Sequence, residues 1–184
     1  MDSDFDLLTS IGNHIRQELE SQDEAWKGSP FIWVKSLAPA AKGKLGARLV
    51  SAWCAAKGLR IDSSPDSEAD LVINGHRAEI KFSTLWRSGV YKFQQIRDQN
   101  YEYLVALGIS PFEAHCWVIS KKILENYVIG HKPQHKGASG TDTFWFEVDP
   151  NSPPGWLSGL GGSLDEAFVV LKGLSRKRRK MTRE

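Results

Sequence analysis

Cysteine is scarce in this chain of 184 residues. Cys54 and Cys116 are its two thiols and each lies inside an apolar stretch, so a disulfide framework and a Cys-rich zinc site are both excluded. The two read as small core residues. Long hydrophobic runs are missing as well: none approaches the roughly 18 apolar residues of a membrane span. The opening Met1-Asp2-Ser3-Asp4-Phe5-Asp6 has the wrong charge for a secretory leader, and the expectation is a cytoplasmic protein with no membrane partner. Low-complexity tracts are absent, and 41% hydrophobic with 25% charged residues excludes disorder of the whole chain. The length is that of one domain, enough to bury a core without staples.

A dominant sign of charge is also lacking, since 24 Lys and Arg stand against 22 Asp and Glu. The distribution is uneven all the same. Residues 1–25 hold seven acids against Arg16, whereas the tail holds Arg176, Lys177, Arg178, Arg179, Lys180 and Arg183 against Glu184. Such a basic tail suits phosphate contact.

What is present is a mixed pattern of helix and strand signals. Phe5, Leu8, Ile11, Ile15 and Leu19 recur at helical spacing behind acidic residues, which predicts an N-terminal helix over 4–20 with a core-facing stripe. A second helix is expected over 44–57, burying Leu45, Leu49, Trp53 and Ala56 and ending at Gly58. Short strands are expected over 59–62, 69–73 and 77–83, a helix over 90–100, and strands over 103–107 and 114–119. A short helix over 121–127, a polar loop over 131–140 and a strand over 143–148 follow. Ser163 opens a closing helix that buries Leu164, Phe168 and Leu171, with Asp165 and Glu166 in its first turn. No internal repeat and no second domain is evident. The fold class expected is α/β (α+β), a central mixed sheet flanked by helices.

The stretch from Ser64 to Lys81 is the most informative. Asn74-Gly75 between apolar alternating runs signals a two-residue hairpin turn, because both central residues of a type I′ turn need positive φ. The register then pairs Ile73 with His76, Val72 with Arg77, Leu71 with Ala78 and Asp70 with Glu79. Facing residues share a side of the sheet with β-carbons about 5 Å apart, so the two carboxylates converge and Lys81 points the same way. Leu71, Ile73, Ala78 and Ile80 make the opposite, apolar face. Adjacent carboxylates repel, and a bound divalent cation offsets that repulsion.

Pro65-Asp66, Asp70 and Glu79-Ile80-Lys81 together resemble the PD-(D/E)xK nuclease superfamily, which includes type II restriction endonucleases, a mismatch-repair nicking endonuclease and Holliday-junction resolvases. The expected element order over about 44–120 is similar to that family's αβββαβ core. The resemblance implies that Asp70 and Glu79 are metal ligands, that Ile80 contributes its main-chain carbonyl, and that Lys81 is the catalytic lysine. It further implies Mg2+ as cofactor, with Mn2+ able to substitute, and double-stranded DNA as substrate. Asp66, which follows the Pro, also satisfies the family pattern. The register favours Asp70, and Glu68 is an outer-ligand candidate. Many relatives carry a Glu in the first core helix where this chain reads Gly46-Ala47-Arg48; Glu18 or Glu20 is the available substitute. Tyr91-Lys92-Phe93-Gln94-Gln95 is similar to an aromatic/Gln pattern near the metal in several relatives, with Gln94 or Gln95 binding a phosphate or ordering a water.

Lys92, Arg97, the run His131, Lys132, Gln134, His135 and Lys136, and the tail residues Arg176, Lys177, Arg178 and Arg179 are the DNA-contact candidates. Pro133 between the two histidines, and the lack of a third ligand, argue against zinc there. The expectation is a single nuclease domain over 1–184, with its core at 44–120, a closing and recognition segment at 121–175 and a basic tail at 176–184. A type II restriction endonuclease working as a homodimer is the leading reading. A nicking or structure-specific nuclease and a non-catalytic DNA-binding module are the alternatives.

Overall fold

The computed structural model describes residues 3–22, 24–137 and 142–174, with side chains 16–22 left aside. Four helices, α1 (Ser3–Gln22), α2 (Pro39–Ala56), α3 (Lys121–Tyr127) and α4 (Leu164–Gly173), accompany nine strands. The strands are β1 (Ile61–Ser63), β2 (Leu71–Ile73), β3 (His76–Thr84), β4 (Tyr91–Ile96), β5 (Tyr103–Ile109), β6 (Ala114–Ser120), β7 (Pro133–His135), β8 (Thr143–Val148) and β9 (Gly161–Ser163). Six of them form a sheet in the order β1-β2-β3-β5-β6-β9, and β4-β8-β7 form a second sheet of three. Only the β3–β5 pair in the large sheet is parallel, so the sheet is mixed and the α/β class expected from the sequence is what the chain adopts.

The alternation of side chains along each strand builds two interiors. Ala78 and Ile80 of β3, Val105 and Leu107 of β5, and Cys116 and Val118 of β6 pack under α2 and α4 with Val50, Cys54, Ala167 and Leu171. Leu104, Ala106, Trp117 and Ile119 face the other way and meet Tyr91, Phe93, Phe144 and Phe146 of the second sheet together with Leu124 of α3. Each fully buried large side chain contributes roughly 1.5–3 kcal/mol, so the two clusters together hold the fold. Both cysteines are free and buried, and burial pushes the Cys54 thiol up to about 12.

α2 begins at Pro39 in its first turn, where the missing N–H is no loss. Its buried residues are Gly46, Val50 and Cys54, one position on from the face centred on Leu45, Leu49 and Trp53; Ala56 is exposed. Gly46 explains the shift: a β-carbon there would lie 2.3 Å from Phe82 Cβ, so the helix rests its glycine directly on β3. α4 starts with the expected capping box, in which the Ser163 hydroxyl accepts from the Glu166 N–H and the Glu166 carboxylate accepts from the Ser163 N–H.

Three expectations are overturned. The stripe of α1 is not core: Phe5 is 69% exposed, Leu8 66%, Ile11 46% and Ile15 48%, because both faces of the large sheet are already covered without it. Residues 90–100 hold a strand, β4, rather than a helix. Phe93 pairs with Phe146 and Ile96 with Phe144, so β4 carries a bulge, and Gln95 adopts φ 55° there. The link between the parallel strands β3 and β5 is therefore a strand of the second sheet, not the helix of an αβββαβ core. Finally, the 131–140 loop contains β7, paired with β8. The tail residues Arg176, Lys177, Arg178 and Arg179 lie outside the described residues, as do the side chains of Glu18 and Glu20.

Candidate active site

Asn74 and Gly75 have φ 52° and 91°, the pair of left-handed conformations that a type I′ turn requires. The buried Asn74 side chain also accepts the Arg60 N–H at 3.1 Å, which ties the turn to the strand before it. Ile73 pairs with His76, Val72 with Arg77 and Leu71 with Ala78, the register the sequence implies. The pairing stops there, so Asp70 is not the strand partner of Glu79 that the sequence register implies. One residue earlier the Asp70 N–H bonds to Ala78 O at 3.0 Å, and the Asp70 carboxylate takes the Ile80 N–H at 2.8 Å. An exposed carboxylate thus replaces the strand partner that Ile80 would otherwise have. The carbonyl of a strand residue points to the same side as its N–H, so Ile80 O faces the gap that β2 leaves at Leu71.

Glu79 and Lys81 project from β3 toward the second sheet. Lys81 Nζ lies 2.7 Å from Glu79 Oε1, and the two side chains are 17% and 11% exposed. Burial raises the Glu79 pKa above the ordinary carboxylate value; the Lys81 charge and hydrogen bond pull it down, Asp70 adds to the rise and Arg97 opposes it. Four charged groups therefore act on one spot: Asp70, Glu79, Lys81 and Arg97. Tyr101 closes the floor, buried at 3% exposure, with its hydroxyl donating to Arg97 O at 2.9 Å. Its pKa is raised by burial and then by Glu79.

Asp66 and Glu68 do a different job. Asp66 bonds the Arg77 guanidinium through both carboxylate oxygens and caps the Glu68 N–H at 2.9 Å. Glu68 accepts the Asn100 N–H at 3.2 Å, and Arg77 Nε reaches Asn100 O. These bonds strap the 64–70 segment to the 97–102 segment on either side of Asp70. Arg77 and Asn100 carry no local sequence signal, because their contacts reach across 11 to 32 positions.

Among the described residues no group of three or more His, Cys, Asp or Glu side chains gathers as a metal cage. Two carboxylates and a main-chain carbonyl are what remain. An all-oxygen set of that size fits Mg2+, which keeps several waters and takes one or two carboxylates from the protein. It does not fit zinc, which prefers nitrogen and sulfur.

Gln94 and Gln95 are exposed on the β4 bulge, where the Gln95 N–H donates to Gln134 Oε1 at 2.7 Å. Arg97 is exposed at the end of β4, and His131, Lys132, His135 and Lys136 are exposed beside or on β7. Lys92 N–H bonds Ser83 Oγ at 3.0 Å, which fixes the start of β4 against the end of β3.

No protein-family model matches the sequence, and no curated protein matches it. Among solved structures the chain is similar to that of a bacterial homing endonuclease, I-Ssp6803I, with a TM-score of 0.47 and 15% identity, over 73% of this chain and 92% of that one.

Proposed function

We propose that the chain is a metal-dependent endonuclease of double-stranded DNA. The observation that carries this reading is the joining of Asp70 to Ile80 N–H beside the buried Glu79–Lys81 pair, which gathers the three side chains of the PD-(D/E)xK resemblance at one strand edge. Asp70, Glu79 and the Ile80 carbonyl would hold Mg2+ or Mn2+, and the bound cation would supply a Lewis acid for a phosphoryl oxygen and make a water more acidic. Lys81 presents an ammonium to the attacked phosphate and orients the attacking water, while Glu79 keeps that ammonium in place. Arg97 adds positive charge on the outer side, and Tyr101 keeps bulk water from the floor.

Cleaving both strands calls for two such centres, so the reading includes a two-fold dimer. The exposed stripe of α1 supports a second copy as its occupant. Phe5, Leu8, Ile11 and Ile15 are exposed along one face of that helix, an apolar stripe that a symmetric copy would cover. The acids of the same segment disfavour DNA or an anionic membrane there.

The test is incubation of purified protein with plasmid and phage DNA plus Mg2+, beside Ca2+, EDTA, Asp70→Ala and Lys81→Ala controls. Absence of Mg2+-dependent cleavage of every DNA form would sink the nuclease reading, and binding without cleavage would make the chain a DNA-binding module. A discrete fragment ladder identifies a type II restriction enzyme. Nicks alone, or cuts confined to branched DNA, identify the nicking or structure-specific alternative.

A further inference from the structure

Beyond Thr84 the chain makes a tight turn, with the Trp86 N–H bonded to Val90 O and the Gly89 N–H to Trp86 O, both at 2.9 Å. The turn holds Trp86 out at 47% exposure. Lys92 returns on β4 with its ammonium 4.4 Å from the centre of the Trp86 ring and 5.8 Å from that of Trp145 on β8. Tyr91 and Phe93 point into the core, so Lys92 lies on the outer face of the second sheet, which Trp145 shares.

We infer that Trp86, Lys92 and Trp145 form a backbone-contact station for the duplex, in which two indoles hold one lysine ready for a phosphate beside the cleavage centre. The inference rests on the nuclease reading for its ligand. A lysine on an open sheet face samples many rotamers and loses them when it meets a phosphate. Two aromatic faces restrict those rotamers beforehand, which lowers the ordering penalty of binding. The indoles do not neutralise the charge, so the ammonium still attracts an anion.

Position supports the same ligand. The main chain of Lys92 is bonded to Ser83, two residues beyond Lys81 on the same face of β3. Arg87, at the tip of the turn, is also exposed. The opposing charge is Glu147, which pairs with Lys92 in the β4–β8 register; the cation is held toward the rings rather than along that pair. Lys92 is the contact residue and Trp86 a positioning residue that acts through it.

The test measures affinity for a short mixed-sequence DNA duplex in Ca2+, over a range of salt, for the wild type, Lys92→Gln, Trp86→Ala, Trp86→Phe and Trp86→Ala/Lys92→Gln. Lys92→Gln is expected to weaken binding about tenfold and to lower the slope of log K against log salt by about one. Trp86→Ala is expected to weaken binding about threefold with the slope unchanged, Trp86→Phe to restore most of it, and the double variant to bind like Lys92→Gln alone. An unchanged slope in Lys92→Gln, or additive losses in the double variant, overturns the station. Cleavage that persists with an unchanged slope leaves the nuclease reading standing and removes the station. A changed slope in a chain that never cleaves does the reverse, and no duplex binding at all removes both.

Discussion

Lys81 Nζ lies 2.7 Å from Glu79 Oε1, with both side chains more than four-fifths buried. The pair comes from two alternate residues of one strand, so neither partner can be moved without the other. Lys81→Met leaves a buried carboxylate without its cation and is expected to cost about 2–4 kcal/mol near neutral pH. Because burial raises the Glu79 pKa, stability tied to its neutral form is present at low pH and lost as pH rises through the folded value. The Lys81→Met deficit is therefore expected to shrink on acidification, and Glu79→Gln/Lys81→Met to recover most of it. Urea unfolding of the three proteins across pH checks this; a deficit independent of pH contradicts it.

Asp70 takes the Ile80 N–H, whereas Asp66 holds the Arg77 guanidinium. On the proposed function, Mg2+ is expected to support cleavage by the wild type and to raise its melting temperature, and Asp70→Asn to abolish both. Asp66→Asn is expected to retain both in part, since its carboxylate holds Arg77 and Glu68 rather than the cation. Calorimetry with and without Mg2+, beside plasmid cleavage, distinguishes the two.

The same Asp66 gives an acid limb to stability. The Arg77 hydrogen bond, then the Glu68 N–H, hold its pKa below the ordinary 3.8. A lowered carboxylate contributes stability that is complete above its unfolded pKa and is lost as pH falls through the folded one. The melting temperature of Asp66→Asn is expected to fall less steeply than that of the wild type below about pH 4. Parallel curves contradict the strap.

Gly46→Ala is expected to destabilise by roughly 1–3 kcal/mol, the usual range for overpacking. Its new methyl group meets Phe82 at 2.3 Å, and Phe82→Leu in the same chain is expected to relieve part of the loss. Denaturant midpoints of the single and double variants report it.

Much of this molecule can be read from its residues, and the parts that cannot have identifiable causes. The hairpin was legible because Asn74-Gly75 dictates both turn and register. β8 was legible because Phe144, Phe146 and Val148 recur at every second position and are buried. β4 was misread as a helix because its bulge inserts one residue between Phe93 and Ile96, so the buried set 91, 93 and 96 loses its period of two. β9 offers no pattern at all: Gly161 and Gly162 pair with β6 at φ 123° and 139°, and at Gly161 the Cys116 carbonyl leaves no room for a side chain. The α1 stripe has correct helical spacing, but spacing cannot reveal whether the chain itself supplies the covering surface. At the site, Glu79 and Lys81 share a face by the alternation of β3, whereas the place of Asp70 rests on its side-chain bond to Ile80 and the Asp66–Arg77 strap on tertiary contacts.

β3 sends Ala78 and Ile80 into one interior and Glu79, Lys81 and Ser83 toward the other. A single insertion or deletion inside it would exchange core and chemistry outright, placing carboxylate and ammonium under α2 and isoleucine in the cleft. Changes of length are therefore expected to be borne by the turns that bound the strand rather than by the strand itself. A change in the Trp86–Gly89 turn alters the exposed surface there while Glu79 and Lys81 stay where they are.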